Sequence, residues 1–333
     1  MEIKIIRDRH KGLITPDKLL NLVEKGHLPP SKAINYFNEK NRKKFKDYAK
    51  EESVQIDREQ EILDELNQMV GLAPVKKIVN EIRAFVKIQK LREEEKLLTE
   101  PQALHMIFKG NPGTGKTTVA RVFGRLFKEI GVLSKGHLLE IERADLVGEY
   151  IGHTAQKTRD QIKKAMGGVL FIDEAYSLAR GGEKDFGKEA IDVIVKAMED
   201  HKDNLLLILA GYREEMEQFI GTNPGLRSRF PIHIDFPDYS MEELLQIGEL
   251  MLNQRQYRLS PQARETLKNV LAYKTALHHH EGNARMVRNI IEKAIRLQAV
   301  RLVSKTKVTR DELMTILPED IKGAREHWLL THT

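Results

Sequence analysis

Apolar positions recur at helical spacing from about Asp57 onward. Ile62, Leu63, Leu66 and Val70 share one side of a helical pattern, and Gly71 interrupts it. Ala73-Pro74 then restart a helix with Val75, Ile78, Ile82, Val86 and Ile88 on its apolar side. Beyond that, short apolar runs alternate with helical stretches. The runs 104–108, 138–141, 169–172, 205–209 and 232–236 predict five strands, each short and apolar, as expected where helices cover both faces of a sheet. A helix over 118–128 follows the first strand. This alternation predicts an α/β fold with a parallel sheet. After Pro237 the strand pattern stops, and 241–256, 261–277, 284–303 and 310–317 predict four helices. A second, smaller, all-helical domain follows from that.

The boundaries so drawn are a basic N-terminal segment (1–56), an α/β domain (57–238), a helical domain (239–318) and a tail (319–333). The tail is polar apart from Trp328, Leu329 and Leu330. Pro16, Pro29 and Pro30 break the first segment into short pieces, and Ser31 is placed to cap a helix carrying Ala33, Ile34, Tyr36 and Phe37. Residues 1–50 hold 13 lysines and arginines against 6 acids, a net of +7, while the whole chain of 333 residues carries only +6. The basic character therefore belongs to this segment and not to the body. Such an arm can bind nucleic acid, anionic lipid or an acidic protein, and a solvated helical extension is the plainer use. Phe45 and Tyr48 lie among lysines there and could stack on bases, although helix packing is the commoner role.

With 41% apolar and 31% charged residues the chain reads as globular. It has no cysteine, which excludes disulfide scaffolds, thiol nucleophiles and cysteine-ligated zinc or iron–sulfur sites. The longest apolar runs, such as 205–210, fall far short of the ~20 residues that span a bilayer. Residues 1–9 lack the apolar core of a signal peptide. A cytoplasmic location is expected. Histidines 278–280 lack acidic or further histidine partners at ligand spacing.

The chemistry concentrates in two motifs. Gly110-Asn111-Pro112-Gly113-Thr114-Gly115-Lys116-Thr117 matches the phosphate-loop pattern, between a predicted strand and a predicted helix that continues through Thr118. Glycines let successive backbone N–H groups turn inward around phosphate oxygens. The helix start points its positive end at the same anion. Lys116 reaches the β- and γ-phosphates, and the Thr117 hydroxyl ligates Mg²⁺. Val169-Leu170-Phe171-Ile172-Asp173-Glu174, 59 residues beyond Gly110, buries a strand and delivers two carboxylates at its C-terminal end, where open α/β sheets bind ligands. Asp173 can hold Mg²⁺ through water, and Glu174 can polarise an attacking water.

On these residues the chain resembles the AAA+ ATPases, over about 57–318. The resemblance implies a five-stranded parallel sheet in the order 5-1-4-3-2 with a C-terminal helical lid. It implies that Val70-Gly71-Leu72 contacts adenine, with residues Gly110 through Thr118 on the phosphates. It places a polar γ-phosphate sensor at the end of the fourth strand, where this chain has Tyr212 in place of the usual Asn or Thr; a structural tyrosine is the alternative. Before the fifth strand, in Asn223-Pro224-Gly225-Leu226-Arg227-Ser228-Arg229-Phe230, the family has an arginine finger that enters the neighbouring subunit's site. Arg229 is the first choice and Arg227 the second, with a surface ion pair as the alternative. Gly282-Asn283-Ala284-Arg285 resembles the second sensor, Arg285 touching the γ-phosphate in cis, or Arg288 one turn on. Tyr150-Ile151-Gly152 resembles the loop that lines a ring pore and grips a polypeptide.

The motifs together are similar to the branch containing red-type rubisco activases and stage V sporulation protein K, with the N-terminal segment closest to the sporulation members. The resemblance implies an enzyme that hydrolyses ATP with Mg²⁺, assembles into a homo-oligomeric ring, a hexamer, and remodels a protein client. Lys116, Thr117, Asp173 and Glu174 would act in cis and Arg229 in trans. Three alternatives stand beside it: a rubisco activase proper; a nucleic-acid motor or clamp loader, favoured by the basic arm; and a nucleotide-switched binding module, against which Glu174 argues. Weak, sequence-blind nucleic-acid binding through residues 1–50 is expected.

Overall fold

The computed structural model of the chain describes Val23 and residues 58–99, 103–150, 152–180, 185–221, 223–277 and 282–331. The chain divides into two units, 1–60 and 61–333, and all elements below belong to the second. The expectations for residues 1–56, for Ile151 and for histidines 278–280 lie outside the described residues.

Helical residues 61–68 lead into α1 (Ala73–Glu94), which carries Pro74 in its first turn, where a missing N–H breaks no helical bond. Then come β1 (Met106–Gly110), α2 (Lys116–Glu129), β2 (Leu138–Ile141), α3 (Arg143–Leu146), α4 (His153–Ala165) and β3 (Val169–Ile172). A 3₁₀ turn (Ala175–Ala179) precedes α5 (Gly187–Asp200), β4 (Leu206–Gly211), α6 (Arg213–Gly221), α7 (Pro224–Arg229) and β5 (Ile232–Phe236). The strands form one parallel sheet in the order β2-β3-β4-β1-β5, the expected order read from the other edge.

The pleat sends alternate residues to opposite faces. Phe108, Phe171 and Ile208 join α1 and α2 in one buried cluster, with Val75 and Phe123. Ile107, Leu170, Ile172, Leu207 and Leu209 join α4 and α5 in another, with Ile162, Ile191 and Ile194. The central strands β1, β3 and β4 are buried along their whole length, whereas β2 and β5 at the edges are partly exposed. That is why the central strands read as unbroken apolar runs. The Phe108 ring lies 4.9 Å from Phe236 and 6.1 Å from Phe123, and removing each such ring from water contributes about 1.5–3 kcal/mol. Because β1, β3 and β4 run parallel, their C-terminal ends open on one edge of the sheet.

The lid comprises α8 (Met241–Asn253), β6 (Arg258–Leu259), α9 (Pro261–Leu277), α10 (Asn283–Val303), α11 (Arg310–Met314), β7 (Thr315–Ile316) and α12 (Pro318–Thr331). It has its own core of Leu245, Leu267, Val287, Ile291 and Ile316. Ser240 and Thr309 start α8 and α11 with capping boxes to Glu243 and Glu312.

Several boundaries differ from the sequence reading. The first strand spans Met106–Gly110 in place of 104–108. The strand runs on past Phe108 through Lys109, which is buried in β1 with Glu217 and Asp235 both 3.4 Å from its ammonium. The fourth strand spans Leu206–Gly211 in place of 205–209, and α2 begins at Lys116, two residues early. The lid is not all-helical: β6 and β7 pair in parallel, Arg258 opposite Thr315, and the helix expected through 317 ends at Met314. Two-residue strands are too short to leave a periodic signal. Where a polar tail was expected, α12 buries Ile321 and Ala324 in the lid core. The nearly inaccessible Asp320 carboxylate takes Arg301 in a two-pronged bond at 3.0 and 2.9 Å. One apolar residue per turn among charges was enough to hold that helix.

Candidate active site

The loop between β1 and α2 is shaped by backbone that only glycine holds easily. Gly115, with φ of +96°, stands at the start of α2, and no side chain caps that helix. The first N–H groups of α2 are therefore left for an anion. Lys116 Nζ donates to the Gly110 and Asn111 carbonyls at 2.7 and 3.0 Å, so the ammonium folds back over the loop. Burial pulls its pKa below the ordinary lysine range; the Asp173 charge opposes that shift and Arg285 adds to it. A partly desolvated cation bonded to two carbonyls suits a phosphate. The exposed Thr117 hydroxyl donates to Glu140 on β2 at 3.2 Å.

The loop lines a cleft of about 270 Å³ together with Asp173 and Glu174 at the end of β3, Gly211 and Tyr212 at the end of β4, and Ala284, Arg285 and Arg288 at the start of α10. Residues up to 178 positions apart in sequence are thus gathered around one concavity by the parallel sheet and the lid. Glu174 is exposed and holds a left-handed backbone, φ +46°, with its N–H on the Asp173 carboxylate at 3.0 Å. Left-handed backbone is uncommon for a residue with a side chain, and such outliers cluster at functional sites. Tyr212 is half-buried, its ring 6.1 Å from Tyr176. Burial and the Glu174 charge push the Tyr176 phenol up to about 12. The donors and carboxylates present fit a Mg²⁺-bound triphosphate: amides and a lysine on one wall, two acids opposite, two arginines on the lid.

Some expected contributors stand elsewhere. The Asn111 side chain turns to Asp238, and the buried Thr114 hydroxyl closes the loop on the Asn111 carbonyl at 2.8 Å. These two side chains brace the loop and do not line the cleft. Val70 packs on the lid core, and Leu72 lies beside Gly115 at the start of α2. A Cβ at Gly71 would meet Glu243 and Tyr239, so this segment borders the cleft at the lid seam without lining it. Arg229 also lies outside the cleft. At the end of α7 its guanidinium grips the Glu199 carboxylate of α5 and donates to the Gly225 carbonyl at 3.1 Å. Arg227, on the same short helix, is exposed.

The loop before α4 has a tied foot and an exposed tyrosine. Gly148 N–H donates to the buried Thr154 hydroxyl at 2.9 Å, and Lys157 Nζ donates to the Ala144 and Val147 carbonyls at 2.6 and 3.1 Å. Tyr150 is 66% exposed, its ring 5.4 Å from the His153 ring in an edge-on contact, and its carbonyl accepts the His153 N–H at 3.1 Å. Gly152 follows with φ +81°. Arg143, at this loop's foot, grips Asp185 with both terminal nitrogens at 3.1 and 2.6 Å and donates to the Ser177 carbonyl at 2.6 Å. It thereby joins the foot to the segment that follows Glu174.

Glu140, Arg143, Glu199, Asp238 and Tyr239 escaped the sequence reading. Each is an ordinary polar residue whose partner lies far along the chain, and no spacing rule marks such pairs. Asn283 stood inside a quoted motif without a role.

Residues 106–238 match the family model described as ATPase family associated with various cellular activities (AAA), and residues 240–328 match the AAA lid domain. The chain is 57% identical to stage V sporulation protein K of Bacillus subtilis (strain 168), over 80% of this chain and 83% of the relative. It is 45% identical to the chloroplastic ribulose bisphosphate carboxylase/oxygenase activase of Cyanidioschyzon merolae, over 80% and 92%. It is likewise 45% identical to Protein CbbX of Cereibacter sphaeroides, over 80% and 87%. Among solved structures, the FIGL-1 AAA domain in complex with ADP shares the fold with a TM-score of 0.54 at 18% identity, covering 78% of this chain and 82% of that one.

Proposed function

This chain belongs to the AAA ATPases and hydrolyses ATP, and we propose that it couples hydrolysis to pulling a protein client through the pore of a homo-oligomeric ring, a hexamer, in the cytoplasm. The observation that carries this reading is the pairing of a phosphate-loop cleft with a solvent-exposed aromatic, Tyr150, on a loop whose foot is anchored. In this reading the loop amides and Lys116 hold the phosphates, Glu174 takes a proton from the attacking water, and Tyr212 and Arg285 sense the γ-phosphate. The Val70-Gly71 segment borders the base. Arg229, remote from its own cleft, serves the next subunit's. Thr117 and Asp173 would hold Mg²⁺, which when bound neutralises charge on the transferred phosphoryl. Ile151 and Gly152 complete the client loop. Similarity to stage V sporulation protein K supports a role in spore formation, and similarity to rubisco activases supports the alternative of remodelling that enzyme. Among the described residues no helix is long and apolar enough to cross a membrane.

The test is Tyr150→Ala. Basal ATP turnover stays at the parent level, because the side chain touches no part of the cleft. Stimulation of turnover by an unfolded polypeptide such as casein is lost. Equal stimulation of parent and variant would reject the client-gripping role.

The +7 charge of residues 1–50 favours one second activity, weak nucleic-acid binding. Its affinity should fall with salt at a log–log slope of about −0.9 per phosphate contacted. Deleting residues 1–50 should abolish it without lowering ATP turnover. Tight binding at physiological salt that also stimulates turnover would support a nucleic-acid motor instead.

A further inference from the structure

Asp238 lies two residues beyond β5, where the chain leaves the sheet for the lid. Its carboxylate accepts the Asn111 side-chain amide on both oxygens, at 3.0 and 2.9 Å. One of those oxygens also accepts the amide of Asn283, the first residue of α10, at 2.7 Å. Asn283 donates further to the Pro112 carbonyl at 3.3 Å, and its side-chain oxygen accepts the Tyr239 N–H at 3.0 Å. Three polar side chains thus tie the phosphate loop to the start of the lid helix at a single carboxylate.

Two features mark this joint as more than incidental packing. Asn283 makes its bonds from a left-handed backbone, φ +33°, a conformation L residues rarely hold and asparagine tolerates best. The surrounding contacts must therefore over-determine it. The loop and lid backbones also touch: Ala284 N–H donates to the Gly113 carbonyl at 3.2 Å, and a Cβ at Gly113 would lie 2.9 Å from the Arg285 nitrogen. Arg285, two residues after Asn283, lines the cleft. These bonds give the phosphate loop and the start of α10 a direct mechanical connection.

We propose that Asp238 and Asn283 are positioning residues that lock the start of α10 to the phosphate loop, so that Arg285 is held over the terminal phosphate and the site tells ATP from ADP. The proposal rests on the reading of Arg285 as a γ-phosphate contact. A carboxylate is needed at 238 because two amide donors converge on it. An amide there offers one acceptor oxygen in place of two and brings its own donors against theirs.

The test uses the full chain carrying Glu174→Gln, so that ATP persists, and measures the dissociation constants of fluorescent ATP and fluorescent ADP with Mg²⁺. Asn283→Ala and Asp238→Asn should each reduce the preference for ATP over ADP by about tenfold, within the range of site-to-site coupling, with ADP affinity nearly unchanged. In an Arg285→Ala background neither change should reduce the preference further. An unchanged preference in both variants overturns the proposal. So does a full-sized loss that persists in the Arg285→Ala background, which would place the effect in the loop alone. If ADP binding is also lost in one variant, the other decides; a loss in both is a general failure of the site and overturns the proposal too. If Arg285→Ala by itself leaves the preference intact, the reading of Arg285 fails and the proposal falls with it. If Arg285→Ala abolishes the preference and the joint variants do not, only the proposal falls.

Discussion

Arg229→Ala is expected to bind ATP as the parent does and to turn it over more slowly by about 10³–10⁵, the range over which arginine fingers act. Binding survives because Arg229 is no part of its own cleft; its side chain is held by Glu199 of α5 and the Gly225 carbonyl of α7. The loss comes from the neighbouring subunit's site, where a planar, permanently charged guanidinium would otherwise neutralise charge on the transferred phosphoryl. Phosphate release at saturating ATP measures the effect. Mixing the variant with Glu174→Gln subunits should restore part of the activity, since some interfaces then combine an intact Glu174 with an intact Arg229. No restoration in rings shown by mass photometry to be mixed would refute action in trans. A loss shared by Arg227→Ala and not by Arg229→Ala would move the role to the neighbouring arginine.

The second large effect is expected from Glu174→Gln. The amide keeps the shape of the carboxylate and removes its capacity to take a proton, a contribution of about 10²–10⁴ in rate. The loop, Lys116, Thr117 and Asp173 are untouched, so ATP binding should persist and the protein should accumulate in its ATP-bound state. Single-turnover hydrolysis and nucleotide retention after gel filtration check both halves. Turnover at the parent rate would show that another group activates the water. This variant also provides the means to recover the client, because a ring stalled with ATP should hold a polypeptide at Tyr150 that a double variant with Tyr150→Ala does not.

Much of the candidate site was legible because its loop is contiguous chain. Gly113, Gly115, Lys116 and Thr117 lie on near-consecutive backbone and the first turn of one helix, so their order in sequence is their arrangement in space. The same holds for Val169 to Glu174, where an apolar strand must end in the two carboxylates it delivers. The central strands declared themselves because burial on both faces leaves no polar alternation to confuse with anything else. The end of the first strand was set too early for the complementary reason: the charge of Lys109 inside a buried strand is compensated by Glu217 and Asp235, and neither is near it in sequence.

The chain's own order of residues determined which loop and which two carboxylates line the cleft, and that a parallel sheet with a lid would carry them. Only the tertiary structure decided what holds those groups in place. Asp238 meets Asn111 across 127 residues, Asn283 meets Pro112 across 171, Arg229 finds Glu199 across 30, and β6 pairs with β7 across 57. Such partners are chosen by the packing of sheet, helices and lid as whole bodies. A hydrogen bond between two ordinary polar side chains has no periodicity and no required neighbour in sequence, and it exists only once the elements that carry its two ends have been brought together.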